Sequence, residues 1–134
     1  MKQQILAIDD SKAIRFLLQT VLSKEYDVIT IPDGCSAMYW LSKKRLPDLF
    51  IIDPQLPDME NWEIIQHLSS SGIFGDIPII ALSSLSLGET QGRCEEYKVA
   101  SYFLKPFNPV NLLSEINKVL SVNSQFNDYT LKAS

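Results

Sequence analysis

Residues 49–53 read LFIID, four apolar residues followed directly by an aspartate. A continuous apolar run of this length is typical of a strand that is buried on both faces, as in a parallel sheet. Similar runs occur at residues 5–8 (ILAI), 79–82 (IIAL) and 102–104 (YFL), and residues 26–31 (YDVITI) alternate as a strand nearer the sheet edge does. The sequence therefore predicts five strands.

Segments with helical periodicity separate these runs. The first carries apolar residues at the spacing of one helix face: Ile14, Leu17, Leu18, Val21 and Leu22. In the last, Asn108 is a good N-cap and Pro109 occupies the favoured first helical position. Weaker patterns predict helices over residues 35–44, 61–69 and 86–97. The alternation of strands and helices predicts a doubly wound α/β fold, with a five-stranded parallel sheet and helices on both faces.

Length and composition exclude several classes of protein. A chain of 134 residues with 46% apolar residues is expected to form one globular domain, and a net charge of −4 disfavours binding to nucleic acid. One histidine (His67) and two cysteines (Cys35 and Cys94) remove most of the options for a zinc cluster or a Ser-His-Asp triad. We expect both cysteines to be reduced thiols. No run is long enough for a signal peptide or a membrane span, which predicts a cytoplasmic protein.

Polar residues follow the predicted strands at the point where each strand ends. These residues are Asp9 and Asp10, Asp53, Ser83 and Lys105. Because the carboxyl ends of parallel strands share one edge of the sheet, the side chains are expected to converge there. Converging carboxylates favour a Mg²⁺ ion, and a carboxylate beside Mg²⁺ can act as a nucleophile toward phosphorus. Phosphoryl transfer then needs mainly positioning and charge neutralisation.

Two other interpretations of the first acidic pair are weighed against this one. Asp9, Asp10 and Ser11 could simply cap the first helix, where carboxylates interact favourably with the helix dipole. A flavin-binding protein of the same fold would need a phosphate-binding loop at this place, and Asp9 and Asp10 would repel the phosphate.

The chain resembles the receiver domain of two-component response regulators over about residues 3–121. The matching segments are DDS at 9–11, DPQLPDM at 53–59, IIALSS at 79–84 and YFLKPF at 102–107. The intervals match as well, with 30 residues from Asp53 to Ser83 and 22 from Ser83 to Lys105. The resemblance implies the flavodoxin-like strand order 2-1-3-4-5 and a receiver domain at 1–121, followed by a polar C-terminal tail at 122–134.

The resemblance also implies a Mg²⁺ site and a phosphoacceptor. Asp53 matches the residue that is phosphorylated, and Asp10 matches a direct Mg²⁺ ligand. Asp9 matches the acid that holds a metal-bound water. Gln55 matches the position whose backbone carbonyl binds the metal.

Three further positions match residues of the family's switch. Ser83 matches the hydroxyl that turns toward the phosphoryl group, and Lys105 matches the cation beside it. Tyr102 matches the aromatic residue that changes rotamer on the output face. The Lys105–Pro106 bond matches a cis peptide bond of the family.

The sequence departs from the family pattern in the loops. Pro54 follows the phosphoacceptor and has no backbone N–H, so we expect Pro54→Ala to change the rate of phosphorylation or hydrolysis. Asn61 stands where the family has glycine, and asparagine is the next-best residue if that turn needs a positive φ. Gln55 and Leu85 match positions that control access of the hydrolytic water, and a bulky Leu85 predicts slower hydrolysis.

The resemblance implies a stand-alone phosphorylation switch rather than an enzyme with a separate substrate. A sensor histidine kinase or a phosphotransfer protein supplies the phosphoryl group. A downstream protein reads the face formed by the fourth helix, the fifth strand and the fifth helix. No nucleic acid or membrane partner is expected, and a phosphorylation-dependent homodimer is left open. The alternatives are a pseudo-receiver that is never phosphorylated and the receiver fragment of a larger regulator.

Overall fold

A computed structural model describes the backbone of residues 2–43 and 45–133, and side chains as far as residue 121. The five strands are β1 (Gln4–Ile8), β2 (Asp27–Ile31), β3 (Leu49–Ile52), β4 (Ile79–Ser83) and β5 (Ser101–Leu104). The five helices are α1 (Lys12–Leu22), α2 (Gly34–Leu41), α3 (Glu63–Ser69), α4 (Leu87–Glu96) and α5 (Pro109–Ala133). All strand pairs are parallel and the order is β2-β1-β3-β4-β5, which confirms the predicted fold.

The sheet is buried on both faces, as its apolar strands predict. Successive strand residues point to opposite faces, so each strand contributes to two cores. Phe50 and Ile52 pack in a core that includes residues of α2, α3 and α4, such as Ile65. Leu49 and Ile51 pack in a second core with residues of α1 and α5. This double burial holds the strand ends, and therefore the loops that follow them, in fixed positions.

Polar caps define where several helices begin. The Ser11 hydroxyl accepts a hydrogen bond from the backbone N–H of Ile14 at the start of α1. The Asn108 side chain accepts from the backbone N–H of Val110 at 2.8 Å, which confirms the cap predicted for α5. That helix runs on to Ala133, beyond the predicted domain boundary at residue 121. The side chains of the proposed tail, residues 122–134, lie outside the described part of the chain.

Two helices differ from their predicted boundaries. The pattern predicted a helix over 61–69, but α3 begins at Glu63 because Trp62 has a left-handed backbone with φ of 69°. Helix α2 ends at Leu41, three residues before the predicted end. Among the described residues, no helix is both long and apolar enough to cross a bilayer.

Candidate functional site

The register of the sheet places the ends of β1 and β3 side by side. Ile8 pairs with Ile52, and the backbone N–H of Asp53 donates to the carbonyl oxygen of Ile8 at 2.9 Å. Asp9 and Asp53 therefore leave the sheet next to each other. The predicted convergence of polar residues at this edge follows directly from the parallel pairing.

Three carboxylates lie together at this edge. Asp9, Asp10 and Asp53 each offer an oxygen within 4.8 Å of the others. Asp9 and Asp53 are buried, with only 1% and 5% of their surface exposed, whereas Asp10 is exposed. Ser11 donates its backbone N–H to Asp9 Oδ1 at 2.9 Å. The first acidic pair thus belongs to the cluster, while the side-chain cap of α1 comes from Ser11.

Lys105 joins the two buried carboxylates. Its Nζ donates to Asp9 Oδ2 at 2.7 Å and to Asp53 Oδ2 at 2.8 Å. Strand β5 positions this side chain, since Leu104 pairs with Ser83 and the Lys105 backbone N–H donates to the Ser83 carbonyl. The Lys105–Pro106 peptide bond is cis, as the resemblance predicted.

Burial and charge act in opposite directions on these groups. Burial raises the pKa of Asp53 and the charge of Asp9 adds to this effect, although hydrogen bonds from Lys105 and Gln55 oppose it. Burial alone would lower the pKa of Lys105, but its hydrogen bonds to Asp53 and Asp9 raise that pKa overall. The fold therefore keeps Lys105 charged while it disfavours the charged form of Asp53.

The donor set fits a divalent cation. With its carboxylates ionised, the cluster carries three negative charges against one Lys105 ammonium. Carboxylate oxygens are the ligands that Mg²⁺ prefers. Asp10 is exposed, and none of the hydrogen bonds found among the described residues engages its carboxylate. The backbone N–H of Gln55 donates to Asp53 Oδ1 at 2.8 Å, which fixes this loop beside the carboxylates.

Ser83 lies at the same sheet edge but its hydroxyl is engaged elsewhere. Its Oγ is 2.8 Å from Thr90 Oγ1 in α4, and the Leu85 backbone N–H donates to it at 3.0 Å. Ser83 and Thr90 are both fully buried. The sequence pattern does not single out Thr90, because the helical pattern of α4 is weak. The spacing from Thr90 to Cys94 was an available signal, since both occupy the buried face of α4.

The structure corrects one expectation about the loop after Asp53 and clarifies another. The residue with a left-handed backbone is Trp62 and not Asn61. The asparagine at position 61, where the family has glycine, therefore puts no strain on this turn. Pro54 lacks an N–H, but the amide that faces the Asp53 carboxylate belongs to Gln55. The effect of Pro54→Ala on phosphorylation stays a prediction.

Two residues assigned to switching and hydrolysis lie next to the core. Tyr102 is partly buried and packs against the core beneath α4. It also lines a depression of about 400 Å³ with Cys94 and Lys98. Leu85 packs against the same core. Its predicted effect on hydrolysis stays a prediction.

A second pair of acidic residues lies at the start of α2. The Asp33 carboxylate accepts from the backbone N–H of Ser36 at 2.7 Å. Asp58 accepts from the backbone N–H groups of Gly34 and Cys35 at 2.9 and 2.8 Å. No sequence pattern indicates this role of Asp58, because its partners are backbone groups distant along the chain. Cys35 and Cys94 are free thiols, as expected.

Comparisons with known proteins agree with this architecture. The family model described as response regulator receiver domain matches residues 5–117. The protein named "Probable transcriptional regulator ycf27" of Galdieria sulphuraria is 35% identical over 122 residues, which cover 89% of this chain and 46% of that protein. The chain spans about half the length of such curated relatives.

Two solved structures share the fold over almost their whole length. The chemotaxis response regulator CheY4 of Vibrio cholerae has a TM-score of 0.79 and 28% identity, covering 89% of this chain and 99% of that structure. The BeF₃-activated receiver domain of DrrB, a Thermotoga maritima protein, has a TM-score of 0.78 and 26% identity, covering 90% and 99%. This chain belongs to the response regulator receiver domains of two-component signalling.

Proposed function

We propose that this chain accepts a phosphoryl group on Asp53 in a Mg²⁺-dependent reaction and thereby changes a protein-binding surface. The observation that carries the proposal is the pair of hydrogen bonds from Lys105 to the buried carboxylates of Asp9 and Asp53. A buried carboxylate with a raised pKa beside a fixed cation is typical of a reactive group.

In the proposed reaction, one carboxylate oxygen of Asp53 forms a bond to phosphorus. The phosphorus–nitrogen bond of a phosphohistidine in the donor protein breaks, and its electron pair leaves with the imidazole. Asp53 needs no general base, because a carboxylate is a nucleophile without losing a proton. Lys105 stays beside the reacting oxygen and stabilises the negative charge on the transferred group.

Asp9, Asp10, Asp53 and the Gln55 carbonyl are the groups proposed to hold Mg²⁺. Bound there, Mg²⁺ supplies positive charge that neutralises the carboxylates and the phosphoryl oxygens. Asp9 has one oxygen on Lys105 and the other on the Ser11 N–H, whereas Asp10 faces solvent. This difference supports Asp10 as the direct ligand and Asp9 as the acid that holds a metal-bound water.

The proposed output is a change in the face formed by α4, β5 and α5. The phosphoryl group carries a charge of about −1.5 to −2 in place of the single negative charge of the Asp53 carboxylate, and this charge draws Ser83 and Lys105 toward it. Ser83 is hydrogen-bonded to Thr90 of α4, so its movement reaches that helix, and Tyr102 of β5 packs against the core that includes Cys94 of the same helix. We propose a histidine kinase or phosphotransfer protein as the donor, a protein as the reader of this face, and the cytoplasm as the location.

Incubation with Mg²⁺ and acetyl phosphate, followed by intact mass measurement, tests the proposal. The wild type should gain the mass of one phosphoryl group, and removal of Mg²⁺ with EDTA should abolish the gain. Asp53→Asn should gain nothing, whereas Asp58→Asn, a matched change five residues away, should react like the wild type. Absence of an adduct on the wild type, with acetyl phosphate and with a phosphorylated histidine kinase, would favour the pseudo-receiver.

A further inference from the structure

Two hydroxyl groups form a hydrogen-bonded pair inside the molecule. Ser83 Oγ at the end of β4 and Thr90 Oγ1 in α4 lie 2.8 Å apart, and both residues have no exposed surface. A buried hydroxyl without a hydrogen-bond partner is costly, so each group stabilises the other in its present orientation. The backbone N–H of Leu85, in the loop before α4, donates to the same Ser83 oxygen and further fixes this orientation of the hydroxyl.

The proposed role of Ser83 conflicts with this orientation. The Ser83 hydroxyl must donate a hydrogen bond to a phosphoryl oxygen on Asp53. A charged acceptor of this kind makes a stronger hydrogen bond than a neutral hydroxyl does. The bond to Thr90 has to break before the new bond can form. Thr90 and the phosphoryl group therefore compete for the hydroxyl group of Ser83.

A second contact ties the same turn of α4 to the loop after Asp53. The indole N–H of Trp62 lies 3.4 Å from a carboxylate oxygen of Glu89, the residue before Thr90. The backbone N–H of Trp62 donates to the carbonyl of Pro54, next to the phosphoacceptor. At 3.4 Å the contact to Glu89 is long and weak, so the Ser83–Thr90 bond is the stronger restraint on this turn.

We propose that Thr90 is a positioning residue that holds Ser83 away from Asp53 and so sets how readily the switch turns on. This inference rests on the proposed function, because it assumes that Asp53 receives a phosphoryl group. Loss of the Thr90 hydroxyl destabilises the held orientation and shifts the population toward the one that reaches the phosphoryl group. The release of Ser83 also frees the first turns of α4, which links the site to the output face.

Beryllofluoride, a stable mimic of a phosphoryl group on aspartate, provides the test. Its affinity in the presence of Mg²⁺ is measured by isothermal titration calorimetry on the intact chain. Thr90→Val removes the hydroxyl at nearly constant volume and should bind roughly two- to tenfold more tightly, the range expected for one neutral hydrogen bond. Thr90→Ser keeps the hydroxyl and should restore the wild-type affinity.

A double-mutant cycle separates positioning from a general structural effect. In a Ser83→Ala background there is no hydroxyl left to hold, so Thr90→Val should no longer change the affinity. If Thr90→Val does not fold, Ser83→Ala breaks the same bond from the other side. Amide hydrogen exchange over residues 86–90 of the unmodified Ser83→Ala protein should then be faster than in the wild type.

The possible outcomes distinguish the two proposals. Three results would overturn the role of Thr90 alone. The first is wild-type beryllofluoride affinity in Thr90→Val, and the second is an effect of Thr90→Val that persists without the Ser83 hydroxyl. The third is unchanged hydrogen exchange over residues 86–90 in Ser83→Ala. A wild type that binds no beryllofluoride overturns the proposed function, and the role of Thr90 with it.

Discussion

Asp53 and Asp58 lie five residues apart in the loop that joins β3 to α3, yet the fold treats their carboxylates in opposite ways. Asp53 is buried, and burial raises its pKa despite hydrogen bonds from Lys105 and Gln55. Asp58 is exposed, and hydrogen bonds from the Cys35 side chain and from the backbone of Cys35 and Gly34 lower its pKa to about 2.

The difference separates a structural carboxylate from the carboxylate that we propose is phosphorylated. The native state stabilises the ionised form of Asp58, which caps the start of α2 and accepts hydrogen bonds from its backbone N–H groups. The native state disfavours the ionised form of Asp53, so a cation beside that carboxylate offsets an unfavourable charge. The resemblance assigns the phosphoacceptor role to Asp53 alone, and the different environments of the two carboxylates give a physical reason for that difference.

The largest effect is expected from removing the Lys105 ammonium group beside Asp53. Lys105→Ala leaves the buried carboxylates of Asp9 and Asp53 without their ammonium partner. Loss of the Lys105 ammonium should slow phosphorylation by acetyl phosphate about 10²- to 10³-fold, because this is the usual effect of removing one group that stabilises transition-state charge. Initial rates of adduct formation measure this. A rate within threefold of the wild type would contradict the assigned role of Lys105.

Magnesium should stabilise the fold through the Asp53 cluster and not through Asp58. A ligand at ten times its dissociation constant adds about 1.4 kcal/mol to the free energy of unfolding, or about 4–7 °C in Tm for a domain of this size. Thermal melts with and without Mg²⁺ measure the shift. Asp58→Asn should keep it and Asp10→Asn should lose most of it. An equal shift in both variants would place the ion elsewhere.

Replacement of Asp58 should instead reduce stability without affecting phosphorylation. Asp58→Asn weakens the cap of α2 and should lower Tm by a few degrees near neutral pH. The folded-state pKa is depressed, so this stabilisation is fully present above the unfolded value of about 3.9. It is lost as the pH falls toward about 2. The Tm values of the wild type and of Asp58→Asn should therefore converge as the pH falls from 6 to 2.5. A difference in Tm that grows on acidification would refute this assignment.

The smallest effect is expected from Pro54, which lies between the two environments. Pro54→Ala adds a backbone N–H next to Asp53, while the amide of Gln55 already faces that carboxylate. One added donor should change the phosphorylation or hydrolysis rate roughly two- to tenfold. Single-turnover measurements of both rates provide the check. Identical rates would show that Pro54 is only a rigid element of the loop.

Local patterns predicted the fold and the members of the cluster, but not how they are held. Four apolar runs ending in polar residues place Asp9, Asp53 and Lys105 at one edge, because parallel pairing aligns the strand ends. The hydrogen bond between Ser83 and Thr90 depends on how α4 packs. The left-handed turn at Trp62 depends on how the loop after Asp53 closes on the carbonyl of Pro54. Contacts of this kind leave no periodic signal in the sequence.

The most direct test of the account is to locate the acyl phosphate by chemical trapping. Borohydride reduces an aspartyl phosphate to homoserine, which peptide mass spectrometry assigns to one position. After reaction with acetyl phosphate and Mg²⁺, we expect homoserine at position 53 and intact aspartate at 9, 10 and 58. Homoserine at any of those three positions, or none in the chain, would contradict the account.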